Sequence, residues 1–121
     1  MSMEDLSFDE LNARWKLLLA KLGEQFGEEP DLQAIIFLIG VQELGAGKRD
    51  FTKDQKMDLM HIATCKLLSR YGYYIYAGVD KDNWPQWTLV EKLPALNVFQ
   101  QERLLKEAVI SYFEDITYIT E

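Results

Sequence analysis

The sequence predicts a mainly helical α+β fold of four helices, with a two-stranded antiparallel hairpin between helices three and four. Three observations carry that expectation. Apolar residues recur at three- and four-residue steps in three long stretches. Each of those stretches opens on a capping-box pair: Ser7 with Glu10, Thr52 with Gln55, and Asn97 with Gln100. The segment from Tyr73 to Leu93 is rich in aromatic and β-branched residues and is broken once, at Asp80-Lys-Asp-Asn83.

The first helix is expected to start after Ser7. Phe8, Leu11, Trp15, Leu18, Leu22 and Phe26 form one stripe, and Gly27 supplies the stop. Asp31 caps the second helix. Its residues Leu32, Ala34 to Ile39 and Val41 leave no polar side, which predicts burial on most of its surface. A buried strand would show the same run. The length from Asp31 to Leu44 and the stop at Gly45 favour a helix. The third helix runs from the Thr52 cap to about Tyr71, before Gly72. Met57, Met60, Thr64, Leu67, Leu68 and Tyr71 make its main stripe, with Leu59 and Ile62 apolar on a second side. Hairpin arms follow at Tyr73–Val79 and Trp87–Leu93, with Pro85 at a strand start or edge. The fourth helix, after Pro94, carries the stripe Val98, Leu105, Val109, Tyr112, Phe113 and Ile116.

A length of 121 residues predicts one domain. Hydrophobic residues make up 48%, enough for a single core, and the three Trp, six Tyr and six Phe argue against disorder. The net charge of −7 repels phosphate, so nucleic acid and anionic membrane are unfavoured partners. Charge is unevenly spread, however. Residues 32–70 hold six bases against four acids, inside an otherwise acidic chain. One cysteine excludes an internal disulfide and a cysteine-rich zinc site. The opening Met-Ser-Met-Glu-Asp has no basic run before an apolar stretch, which predicts no signal peptide. The longest apolar run, Ala34 to Ile39, is too short for a membrane span. A cytoplasmic location is therefore expected, with no membrane contact.

Candidate chemistry gathers between Asp31 and Tyr76. The only histidine, His61, lies on the border of the third helix's main stripe. Asp58 precedes it by three residues and Cys65 follows by four, so both are helical neighbours. A carboxylate beside an imidazole can make a general base or half of a metal site. A semi-buried histidine with a local partner and an inert cysteine are the plainer readings. His61, Asp58 and Cys65 are thus weak catalytic candidates, and no metal or cofactor is expected.

The loop Gly45-Ala-Gly-Lys-Arg49 fails as a phosphate loop. Gln42 stands where the first glycine is needed, Arg49 replaces Ser or Thr, and a helix precedes it. Asp80, Asp82 and Glu91 fall at calcium-loop spacing, but Trp84 and Pro85 break that geometry, leaving a hairpin turn. The four serines, Ser2, Ser7, Ser69 and Ser111, sit in no hydrolase motif. Tyr73, Tyr74, Tyr76, Trp84 and Trp87 form the densest aromatic cluster. Alternation puts Tyr73 and Ile75 on one face and Tyr74 and Tyr76 on the other, so one face is a candidate binding or dimer interface.

The motifs Leu38-Ile-Gly-Val-Gln-Glu-Leu-Gly45, Phe51-Thr-Lys-Asp54, Met57-Asp-Leu-Met-His-Ile62, Tyr71-Gly-Tyr-Tyr74 and Trp84-Pro-Gln-Trp87 resemble a group of short uncharacterised bacterial proteins. The resemblance covers about residues 31–94 and implies no activity, ligand or site.

The leading functional expectation is a non-enzymatic protein-binding or assembly module, homodimeric through the aromatic hairpin and its flanking helices. A winged helix-turn-helix is the first alternative, with Lys48, Arg49, Lys53 and Lys56 on phosphates. Asp54 and Asp58 near the start of the reading helix oppose it. The second alternative is a small enzyme centred on His61.

Overall fold

The computed structural model describes residues 8–45 and 49–116. The Ser7 cap and Lys48 lie outside the described residues. The elements are α1 (Phe8–Phe26), α2 (Leu32–Leu44), α3 (Lys53–Ser69), β1 (Tyr74–Val79), β2 (Pro85–Leu89) and α4 (Val98–Asp115). This is the expected arrangement of four helices with one antiparallel hairpin between the third and fourth. Among the described residues no helix is long and apolar enough to cross a membrane. The chain divides into two compact units, one built on α1 and α4, the other spanning Gln33–Ala95.

In the first unit, α1 buries Leu11, Trp15, Leu18 and Leu22, steps of four, three and four that keep one face inward. Phe8 and Phe26, at the ends of the expected stripe, are exposed. Gly27 ends the helix at φ +87° and returns its N–H to the Gly23 carbonyl at 2.8 Å. On α4 the capping box forms: Gln100 N–H donates to Asn97 Oδ1 at 2.8 Å, and Asn97 N–H donates to Gln100 Oε1 at 3.0 Å. The expected α4 stripe needs correction at its start. Val98 is 78% exposed and its neighbour Phe99 79%. Burial instead takes in every residue from Glu107 to Phe113. Glu107 is admitted because Arg103 Nε donates to its carboxylate at 3.2 Å. Lys106 Nζ lies 5.4 Å from the Trp15 ring centre, and Arg14 meets Glu114 at 3.6 Å.

The second unit holds α2, α3 and the hairpin. α2 buries Ile35, Ile36, Ile39 and Gly40, and stops at Gly45 with φ +70°. Gly40 is there because α3 passes directly over it. A Cβ at position 40 would overlap the Leu59 carbonyl, with its carbon only 2.7 Å away. The two helices meet at a crossing point rather than along a seam.

α3 opens on a complete capping box: Gln55 N–H donates to Thr52 Oγ1 at 3.1 Å, and Thr52 N–H donates to Gln55 Oε1 at 2.9 Å. Its buried residues are Leu59, Ile62, Ala63, Cys65, Leu67 and Leu68. The core side therefore centres on Leu59 and Ile62, which the periodicity made secondary, and Met57 is 63% exposed. The helix ends at Ser69, and Gly72 turns the chain at φ +86° toward the hairpin.

The hairpin pairs Tyr74 with Leu89, Ile75 with Thr88, Tyr76 with Trp87 and Val79 with Pro85. Ala77 and Gly78 stand opposite the single residue Gln86, which makes a bulge, and Gly78 takes φ +90° there. The second arm starts at Pro85 and ends at Leu89, earlier than expected at both ends. Beyond it, Val90 N–H still reaches the Tyr73 carbonyl at 2.9 Å. Asp80 closes the turn: its Oδ1 accepts from Asp82 N–H at 2.9 Å and Trp84 N–H at 3.0 Å. Asn83 takes a left-handed φ of +66°. Both strands pack on α3.

Gly40→Ala is expected to lower stability by ~2 kcal/mol through overpacking. That loss outweighs the roughly 1 kcal/mol that alanine otherwise gains over glycine inside a helix. Urea denaturation measures it, and an unchanged or raised midpoint would show that the helices can separate at no cost.

Candidate functional site

The hairpin register sorts its side chains onto two faces. Directly opposed pairs share a face, so Tyr74, Tyr76, Trp87 and Leu89 lie on one and Ile75 and Thr88 on the other. The first of these faces looks toward α3. Along α3, at about 100° per residue, Asp58, His61 and Cys65 share the flank turned away from Leu59. That flank is the one that meets the hairpin.

Three groups interlock there. Cys65 Sγ lies 3.5 Å from His61 Nε2, and the His61 and Tyr74 rings meet edge to face at 6.5 Å. Cys65 is wholly buried. Burial pushes its thiol above the usual range, partly offset by a hydrogen bond from the Tyr74 hydroxyl. Tyr74 is raised as well, by burial, by the charge that Cys65 would carry and by that same hydrogen bond. The sulfur thus stands between the imidazole and the tyrosine hydroxyl, which donates to it. The cysteine is therefore a sealed packing group and lacks the exposed thiolate of a nucleophile. His61 is exposed. Asp58 and His61, helical neighbours as the spacing indicates, both face one cleft, and among the described residues they share no hydrogen bond or ion pair.

That cleft, about 410 Å³, is lined by Gln55, Asp58, His61 and Ile62 of α3 and by Asp80, Asp82, Trp84, Pro85, Gln86 and Trp87 of the hairpin. Its wall carries three carboxylates and no lysine or arginine. Asp80 is held by the turn and also accepts from Gln86 Nε2 at 3.4 Å. Asp58 and Asp82 have side chains with no hydrogen-bond or ion-pair partner among the described residues. Trp87 Nε1–H is buried and finds no acceptor among the described residues. Such an orphan donor costs about 1–3 kcal/mol. Among the described residues no three of His, Cys, Asp and Glu gather as a metal site.

Trp84 stands at one end of an aromatic row. Phe37 and Phe51 meet edge to face at 6.2 Å, and Phe51 and Trp84 at 6.4 Å. The Arg49 guanidinium covers both, 4.9 Å from the Phe51 ring centre and 5.7 Å from that of Trp84. Of the other residues assigned to phosphate contact, Lys53 and Lys56 are exposed on the first turns of α3 beside the equally exposed Asp54 and Asp58.

Of the aromatic residues singled out for an interface, Tyr74, Trp84 and Trp87 are half-buried on the α3 side, and Tyr73 is half-buried at the start of the hairpin. Tyr76 is exposed, resting against Trp87 at 5.5 Å between ring centres. The aliphatic residues Ile75, Val79, Leu89 and Val90 are also exposed, Ile75 and Val90 on the face turned from α3 and Val79 and Leu89 on the face of Tyr76. Reading aromatic density alone passes over them, although strand alternation already separates Ile75 from Tyr74 and Tyr76.

No protein-family model, curated protein or solved structure matches the chain.

The raised thiol and phenol give a signed pH dependence. A group whose folded pKa lies above its unfolded value stabilises the fold fully below the unfolded pKa, and that contribution is lost as pH rises through the folded value. Stability should therefore fall above about pH 9, and Cys65→Ala should flatten the cysteine part of that slope. Thiol labelling at neutral pH should be slow in the native protein and fast in denaturant. Fast native labelling would contradict the sealed thiol.

Proposed function

We propose that this chain is a non-enzymatic protein-binding and assembly module that forms a homodimer through its hairpin. One observation carries the reading. Five large apolar side chains of the hairpin are each between 48% and 58% exposed: Ile75 and Val90 on the face turned from α3, and Tyr76, Val79 and Leu89 on the other face. Large apolar side chains left open on both faces of one short hairpin mark an interaction site more often than side chains scattered singly over a surface. The stretches Tyr74–Val79 and Trp87–Val90 contain no charged residue. In a chain of net charge −7, this is a surface where two copies can approach with little repulsion. Each strand also has one edge without a partner strand among the described residues, so backbone pairing can add to apolar contact. A single buried thiol suits a reducing compartment, which favours the cytoplasm.

The two alternatives draw less support. For DNA binding, Arg49 is engaged with Phe51 and Trp84, and Asp54 and Asp58 stand among the remaining bases. For an enzyme, His61 is reachable but its bonded neighbour Cys65 is sealed.

Sedimentation equilibrium tests the reading. The wild-type chain should be dimeric at micromolar concentration. Ile75→Lys with Val90→Lys should weaken the dimer at least about tenfold while leaving the helical circular dichroism unchanged. A wild-type monomer would end the proposal.

A further inference from the structure

We propose that the cleft between α3 and the inner face of the hairpin binds a guanidinium group. This site is distinct from the hairpin surface assigned above to assembly, and it stands or falls separately. Its volume of about 410 Å³ lies within the range of small-ligand sites, about 300–1,000 Å³. Its wall joins two indoles, Trp84 and Trp87, to the carboxylates of Asp58, Asp80 and Asp82. Indole faces attract cations, and carboxylates give them directional acceptors. No lysine or arginine on the wall supplies the matching positive charge. Anions are repelled for the same reason.

A guanidinium fits better than an ammonium. It is planar, weakly hydrated and able to stack on an aromatic ring while its edges donate to carboxylates. Trp84 already meets one guanidinium within the chain: Arg49, which is not on the cleft wall, sets its guanidinium 5.7 Å from the ring centre. The roles of the acids also differ. Asp80 is tied to the backbone of the turn and fixes the wall. Asp58, on the rigid helix, has a carboxylate with no partner among the described residues and is the principal acceptor.

The test follows the three indole N–H signals by NMR during titration with N-acetyl-arginine amide. The neutral isostere N-acetyl-citrulline amide is the control. Saturable shifts of the Trp84 and Trp87 signals, with Trp15 unmoved and no response to the citrulline compound, are expected. Asp58→Asn, at an exposed position, should weaken binding about tenfold. Asp82→Asn serves as a second variant if the first perturbs the fold. Methylguanidinium separates the sources of the group. Weaker binding than the arginine amide assigns the site to arginine in a peptide, equal binding assigns it to a free guanidine, and both uphold the proposal. No saturable shift, an equal response to the citrulline compound, or unaltered affinity in the well-folded aspartate variants would overturn it.

Discussion

The second unit depends on one close contact, the backbone of α3 at Leu59 lying against Gly40 of α2. Two helices whose facing positions both carry side chains are held 8–10 Å apart. Removing the side chain at Gly40 lets the α3 backbone descend onto α2. That approach commits Leu59 to the inside, and the helical repeat then commits the rest of α3. Ile62 and Ala63 turn inward with Leu59, while Asp58, His61 and Cys65 turn toward the hairpin. The chemistry-bearing flank of α3 is thus a consequence of a residue that has no side chain.

The hairpin is located by two further constraints. At its far end, Asp80 gathers the N–H groups of Asp82 and Trp84, which fixes the turn and with it one wall of the cleft. At its near end, Tyr74 reaches the buried Cys65 and the ring of His61. Trp84, held edge-on by Phe51, links the turn to the aromatic row that begins at Phe37 on α2. The cleft is what remains between these attachments. Its shape is set by groups that are themselves packed or bonded, as a preformed binding site requires.

Much of this was legible in the sequence wherever the governing interaction is local. The capping boxes at Thr52 and Asn97 are three-residue patterns, and both form as read. The glycines at 27, 45 and 72 stop their helices because the left-handed turn after each is a property of one residue. The Asp80 turn is equally local. Periodicity fails where a helix offers two apolar flanks. Met57 and Met60 make as good a stripe as Leu59 and Ile62, and the choice between them is made by Gly40, nineteen positions before Leu59. Val98 fails for another reason: a helical pattern does not reveal where along its length burial begins. The cleft was hidden most deeply. Asp58, Asp82 and Trp87 read separately as a helix acid, a turn acid and a strand aromatic, and only the docking of the hairpin on α3 joins them.

The bulge at Ala77 and Gly78 has a consequence for the size of any assembly. β1 runs in regular register only from Tyr74 to Tyr76 before the extra residue bends it, and β2 starts on Pro85, which has no N–H to offer. Neither edge can serve as a long template. A strand added to one side therefore finds a short match and no repeating continuation. Growth by successive strand addition would end early, so the association proposed through this sheet would give a closed pair rather than an open-ended fibre.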